Sequence, residues 1–212
     1  MKPRVIVNCA MSADGKIALP TRRQTKISSD EDMKRVHELR NSVDVIIVGI
    51  GTVMADDPSL LVSPKHVSEI RNPVRLVLDS SGRTPDDAAI FDGDAETIVA
   101  TSDECSRDFG GAEVIRCGKG RVDLTKLMST LHDRGHSSVL VEGGGDVIWS
   151  FFREQLVDEF RVFIGSIIIG GKGSPTPVDG EGFRSLVDVA RLELVAHTAL
   201  GEGLLLEYVV KR

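Results

Sequence analysis

The sequence predicts an α/β fold: a mixed, mostly parallel sheet with helices on both faces and an antiparallel hairpin at the C-terminus. Three observations carry that expectation. Short apolar, β-branched runs alternate with helical segments along the chain. The run Val43–Val48 (VDVIIV) is almost continuously apolar, as a strand covered on both faces requires. The last two runs, Leu192–Ala196 and Leu204–Val209, have only Thr198–Gly203 between them. That is too little for a crossover helix, so they pair as a hairpin at a sheet edge.

Each element follows from local pattern. Arg4–Ala10 is the first strand, and Ser28-Ser-Asp-Glu31 has the form of a capping box. Behind it, Met33, Val36, His37, Leu39 and Arg40 fall at helical spacing. Further strands are expected at Val74–Leu78, Thr97–Ala100, Glu113–Arg116, Val139–Val141 and Glu159–Ile164, and helices at Asp103–Phe109, Leu124–Asp133 and Val147–Gln155. Gly170–Phe183 (GGKGSPTPVDGEGF) reads as a long surface loop. No repeat, low-complexity tract or linker divides the chain, so a single domain over 1–212 is expected.

Composition narrows the function. At 212 residues, 41% hydrophobic and 27% charged, the chain has the make-up of a globular protein with a sizeable core. A net charge of -6 argues against general nucleic-acid binding, with local positive charge confined to clusters such as Arg22, Arg23 and Lys26. Cys9, Cys105 and Cys117 are an odd number without a CxxC pair, which reads as reduced thiols in a cytoplasmic protein. No window approaches the roughly 18 apolar residues of a membrane span.

The chemistry gathers where strands end, since ligands of open α/β sheets lie at the carboxyl ends of strands. Val43–Val48 runs into Gly49-Ile-Gly-Thr52 and on to Asp56-Asp-Pro58. Val74–Leu78 runs into Asp79-Ser-Ser-Gly82, Glu113–Arg116 into Cys117-Gly-Lys-Gly120, and Val139–Val141 into Glu142-Gly-Gly-Gly145. Gly49 and Gly51 let a backbone approach a ligand, and the Thr52 hydroxyl suits a phosphate or carboxamide. Asp56 and Asp57 suit ribose hydroxyls or amino groups. Gly143, Gly144 and Gly145 offer N–H groups and a helix dipole to a pyrophosphate. Lys119 and Arg121 suit the extra phosphate that separates NADP from NAD. Glu142 is a carboxylate on a strand end, fit to bind hydroxyls or move a proton, and equally to cap a helix. Other chemistries are poorly supported. The five histidines form no metal pattern, because Gly135 ends the helix between His132 and His136, so no metal is expected. There is no GxSxG elbow, P-loop, strand-following GxGxxG or zinc-deaminase signature. Trp149, Phe151 and Phe152 read as helix packing.

Taken together, AMSADGKIA (Ala10–Ala18), VGIGTVMADDPSL (Val48–Leu60), NPVRLVLDSSGR (Asn72–Arg83), VEGGG (Val141–Gly145) and LVDEF (Leu156–Phe160) occur in the order and spacing of a known family. They resemble the reductase family of riboflavin biosynthesis, nearly end to end, and within it the stand-alone, archaeal-type form. The resemblance implies a fold like dihydrofolate reductase, NADPH as cofactor and a homodimer, with the apolar Ile164–Ile169 segment as one interface candidate and plain core strand as the other reading. It implies reduction of the ribosyl group of 2,5-diamino-6-ribosylamino-4(3H)-pyrimidinone 5′-phosphate to ribityl, with a phosphorylated pyrimidine as the small-molecule partner.

Carried onto this sequence, the resemblance makes Thr52, Asp56, the turn Asp79, Ser80, Ser81 and Gly82, and the loop Gly143, Gly144, Gly145 and Asp146 cofactor contacts. Gly49, Gly51 and Gly118 join them as cofactor-binding candidates. Asn8, Arg40, Leu60 and Glu142 fall near the substrate, with Asp57 beside them. Glu142 and Asp57 are the carboxylates for ring opening or proton transfer. One departure matters. Two-domain relatives carry Arg just after the run following Asp-Asp-Pro, whereas this chain reads Leu60-Leu-Val-Ser-Pro-Lys65. Lys65 or basic residues of the Arg22–Lys26 loop are the replacements for that phosphate clamp. Two rivals stand against this reading. A true dihydrofolate reductase normally carries Leu-Pro-Trp after its first strand, and Ala18-Leu-Pro-Thr21 lacks the Trp; its acid would come from Asp30 to Asp32. A non-catalytic nucleotide-binding module fits the glycine loops alone.

Overall fold

The computed structural model describes residues 1–21 and 25–211. Arg22 and Arg23, part of the basic cluster noted above, lie outside the described residues. In chain order the elements are β1 (Arg4–Ser12), α1 (Asp30–Ser42), β2 (Val45–Gly49), α2 (Ile50–Asp56), β3 (Val74–Leu78), a 3₁₀ turn (Ala89–Phe91), β4 (Thr97–Thr101), β5 (Glu113–Arg116), α3 (Leu124–Asp133), β6 (Ser138–Gly143), α4 (Gly145–Arg153), β7 (Glu159–Gly165), β8 (Arg191–Leu200) and β9 (Gly203–Lys211). Contacts divide the chain into two units, Met1–Arg4 with His37–Leu140, and Val5–Val36 with Val141–Arg212.

In the first unit β2, β3, β4 and β5 pair in parallel, with Val48 opposite Val77 and Val77 opposite Val99. Every residue of β2 is buried, which is why VIIVG shows no alternation. The core is β-branched residues of these strands, such as Val45, Ile46, Ile47 and Ile98, together with Leu127, Met128 and Leu131 of α3. Asp123 caps α3, its side chain accepting from the Lys126 N–H at 2.9 Å. Gly135, at φ +91°, stops the helix between His132 and His136, as expected.

In the second unit β1 and β7 are parallel, with Asn8 opposite Arg161, and β7, β9 and β8 follow as an antiparallel set. The expected hairpin is present and longer than the apolar runs suggested, turning at residues 201–202. Its register shifts between Leu194 and Ala196, a bulge. In α4, Ile148, Trp149, Phe151 and Phe152 are buried, so this helix is held by its apolar face.

Three expectations need correction. No helix forms over Asp103–Phe109: the Asp103 N–H donates to the Gly118 carbonyl at 2.8 Å, and the Arg116 guanidinium takes the carbonyls of Cys105 and Arg107 at 2.8 and 3.0 Å. Carbonyls satisfied from outside, in a segment too short to nucleate alone, leave no drive for helix formation. The cap of α1 is Ser29, one residue beyond the expected box start, with its hydroxyl accepting from the Asp32 N–H at 3.1 Å. Finally, α4 begins at Gly145 and ends at Arg153. Gln155, assigned to it from sequence, has φ 54° and lies beyond the end.

Candidate functional site

In the first unit the predicted loops follow the carboxyl ends of parallel strands, so they share one edge. Gly49 ends β2 and is the N-cap of α2, which carries Gly51, Thr52 and Asp56. Gly51 is exposed, and a methyl group built there meets no heavy atom within 4 Å. Glycine weakens a helix relative to alanine, and no packing among the described residues requires it here. The opening fits close backbone approach by a nucleotide cofactor.

Asp57 closes α2 in the left-handed region (φ 41°), and its Oδ1 accepts from the Ala89 N–H at 2.7 Å. The following segment is pinned from several sides. Arg75 donates to the Ser59 carbonyl at 3.1 Å, Arg40 to the Leu61 carbonyl at 3.4 Å, and His37 Nδ1 accepts from the Ser63 N–H at 3.1 Å. Leu60, itself at φ 57°, is therefore held in an otherwise unfavourable conformation beside Arg40's anchor point. Arg75 is fully buried and also donates to Thr97 Oγ1, Asp92 Oδ1 and the Ala95 carbonyl.

The turn Asp79–Gly82 forms as read, with the Gly82 N–H donating to the Asp79 carbonyl at 3.2 Å. The Asp79 carboxylate faces inward, however: Oδ2 accepts the Thr84 N–H and hydroxyl, each at 2.7 Å. Its Oδ2 holds the turn. Ser80 ties neighbouring loops together, its carbonyl accepting from the Ser102 N–H and its hydroxyl from the Val122 N–H, both at 3.1 Å. Gly118 has φ +95°, and a side chain there would strike the Arg121 carbonyl. Glu104 accepts the Gly120 N–H at 2.9 Å, a bond that holds its carboxyl below the usual range. The ends of β3, β4 and β5 thus form one cross-linked surface with exposed Lys119 and Arg121 upon it.

In the second unit Glu142 and Gly143 end β6, Gly144 caps α4, and Gly145 and Asp146 open it. Gly145 has a reason inside the chain. A methyl group there would lie 2.6 Å from the Thr176 carbonyl and 2.8 Å from the Asp179 carboxylate. Asp179 donates its N–H to the Gly145 carbonyl at 3.2 Å, and its Oδ1 accepts the Thr176 hydroxyl at 2.5 Å. An acidic side chain of the Gly170–Phe183 loop therefore sits at the helix start expected to cradle a phosphate, using the same favourable dipole. No sequence signal announced that loop contact. Trp149 meets Phe183 edge-on at 4.7 Å, beside a 320 Å³ apolar cavity lined by Phe152, Phe160, Val189 and Leu192, so it packs as read.

Asn8, in β1, is 5% exposed, and its Oδ1 accepts from Arg35 Nη2 at 2.9 Å. Arg35 also grips Asp32 Oδ1, through Nε at 2.8 Å and Nη2 at 2.7 Å. Asp32, one of the acids weighed for a pterin, is fully buried and pairs with Arg35 through Oδ1. Sequence reading passes over Arg35; the Asp32–Arg35 spacing is its one signal. Burial pushes the neighbouring Cys9 thiol up to about 12, opposed by Arg35. Among the described residues no His, Cys, Asp or Glu cluster is placed to hold a metal, and no helix is long and apolar enough to cross a membrane.

This is a reductase-type α/β architecture. Dihydrofolate reductase from Enterococcus faecalis shares the fold, with a TM-score of 0.57 at 11% identity over 99% of this chain and 97% of that one. Acinetobacter baumannii RibD matches with a TM-score of 0.85 at 24% identity, over 100% of this chain and 59% of its own. The family model described as the RibD C-terminal domain matches residues 3–206, and the chain belongs to that family. A Methanothermobacter thermautotrophicus protein named 2,5-diamino-6-ribosylamino-4(3H)-pyrimidinone 5′-phosphate reductase is 44% identical over 100% of both chains. A protein of the same name from Archaeoglobus fulgidus is 43% identical over 96% of both.

Proposed function

We propose that this chain is an NADPH-dependent oxidoreductase of riboflavin biosynthesis that reduces the ribosyl group of 2,5-diamino-6-ribosylamino-4(3H)-pyrimidinone 5′-phosphate to ribityl. The observation that carries the proposal is the 44% identity, end to end, with a protein named for that activity. Within the first unit, Gly51 supports a close-lying nucleotide, with Gly49, Thr52, Asp56, the Asp79–Gly82 turn and the Gly118 loop as its contacts. Lys119 and Arg121 are the charges suited to the phosphate that distinguishes NADPH from NADH. Within the second unit, the Gly143–Asp146 backbone is the candidate for a cofactor contact, with the Asp179 carboxylate beside Gly145. The bound nicotinamide supplies the hydride that reduces the sugar carbon C1′.

The chain's own residues bind, orient and move protons. Within the second unit Asn8 is the candidate pyrimidine contact and Glu142 the group that assists opening of the ribosylamine by proton transfer; within the first, Arg40 and Leu60 are the candidate substrate contacts. Asp57, whose Oδ1 already accepts from Ala89, keeps a supporting place beside the substrate. Lys65 is the candidate for the substrate phosphate. We further assign the chain to one functional reductase domain, supported by the continuous family match over 3–206. A cytoplasmic setting is supported by three free cysteines. A homodimer is supported by β8, a long edge strand with Leu194 and Val195 50% and 57% exposed, and by exposed Ile168 in the segment noted from sequence.

The test follows NADPH oxidation by purified protein offered the diaminated pyrimidine phosphate, its deaminated analogue and dihydrofolate. Turnover on the diaminated compound alone is expected. Turnover on dihydrofolate alone would overturn the substrate assignment, and NADPH binding without turnover on any would leave a binding module.

A further inference from the structure

We infer that Arg35 is a positioning residue that sets the orientation of the Asn8 amide and thereby fixes what the substrate must offer there. The inference rests on the proposed placement of Asn8 at the pyrimidine. An Asn side chain is nearly symmetric in shape but not in chemistry, since its oxygen only accepts and its nitrogen only donates. Arg35 has donors alone, and its Nη2 lies 2.9 Å from Asn8 Oδ1. The flipped amide would set NH₂ against guanidinium, two donors with nothing between them, in a place where Asn8 is 5% exposed. One orientation survives, with the amide nitrogen turned away from Arg35.

Arg35 is in turn fixed. Nε and Nη2 converge on Asp32 Oδ1 at 2.8 and 2.7 Å, and that carboxylate is fully buried. A planar fork held at one carboxylate and reaching an amide is geometry that a flexible point charge does not reproduce. Arg35 Nη1 and Asp32 Oδ2 are buried without a partner among the described residues. The cluster's yield is a side chain locked as a donor. The substrate group facing Asn8 is accordingly an acceptor: the pyrimidinone carbonyl oxygen or an unprotonated ring nitrogen.

The test compares Michaelis constants for the diaminated pyrimidine and for NADPH in N8D, D32N/R35Q and R35K, each with a thermal midpoint. In N8D the ion pair with Arg35 preserves the fold and an acceptor replaces the presented donor. In D32N/R35Q the buried charges leave together, and the introduced glutamine, able to donate or accept, frees the Asn8 amide to turn. The expected result is a rise of roughly tenfold or more in KM for the pyrimidine in both, the scale of one lost hydrogen bond. KM for NADPH should be unchanged, and R35K, which keeps a donor, should recover part of the loss. Pyrimidine KM at the native value in folded D32N/R35Q, with N8D impaired, would overturn the role of Arg35 and leave Asn8 in the site. A native-like N8D would remove both, while absence of any pyrimidine turnover by the native chain would sink the functional reading first. If D32N/R35Q does not fold, R35K decides: a pyrimidine KM above the native value with the KM for NADPH unchanged supports the role of Arg35, and native values for both overturn it.

Discussion

Replacing Gly51 by alanine separates stability from function in a way the structure makes quantitative. Gly51 is the second residue of α2, exposed, with open space where the methyl group would go. Removing a helical glycine narrows the unfolded ensemble without steric conflict, worth about 0.5–1 kcal/mol. For a chain of 212 residues that raises the melting temperature by about 1–4 °C. If a nucleotide lies against this backbone, the same methyl group overpacks the contact at roughly 1–3 kcal/mol, about a 5- to 150-fold loss of affinity. Thermal unfolding without nucleotide and fluorescence titration with NADPH read the two effects on one sample. A stabilised G51A that binds NADPH like the native chain would refute the ligand reading of this glycine. A destabilised G51A would refute the helix argument itself.

Other outcomes follow from the same physics. Gly145→Ala should destabilise the protein by about 1–3 kcal/mol and speed proteolysis within Gly170–Phe183, because the methyl group meets the Thr176 carbonyl at 2.6 Å; unchanged cleavage would sink the contact. Arg75→Met should lower stability in urea by about 3 kcal/mol, since it removes the guanidinium bonds to the Ser59 and Ala95 carbonyls and the ion pair with Asp92. Asp14 is held down to about 2, from an ordinary 3.8, by the Ser12 hydroxyl and then the Ile169 N–H, with the Gly170 N–H adding to this and burial opposing. At Asp44 burial pushes the carboxyl up, but bonds from Ser137, Ser138 and Arg71 together outweigh it and leave the group lowered. Both carboxyls are depressed in the folded chain, so their stabilisation is complete above about pH 4 and is lost as pH falls toward 2. Unfolding measured across that window should be flatter in D44N, and an identical pH dependence would show that Asp44 contributes nothing. Glu142→Gln should lower turnover by about tenfold or more if Glu142 moves the proton; unchanged turnover removes it from that role.

Much of this protein was legible from its residues alone. The all-apolar β2, the hairpin of β8 and β9 and the span of α3 follow from local pattern, because burial on both faces, a short connection and a capped amphipathic run each leave a mark in adjacent residues. The family, too, was readable, from five motifs in order. What only tertiary structure decided depends on partners distant in sequence. Asp103–Phe109 is not helical because Arg116 takes its carbonyls. Gly145 is required by Asp179, 34 positions away by number, whereas Gly51 meets nothing among the described residues. Asn8 and Arg35 stand 27 positions apart, and the donor that one presents is set by the other. A residue's type limits which bonds it can make; which of them it does make is settled only when folding brings one acceptor or one obstructing atom within reach.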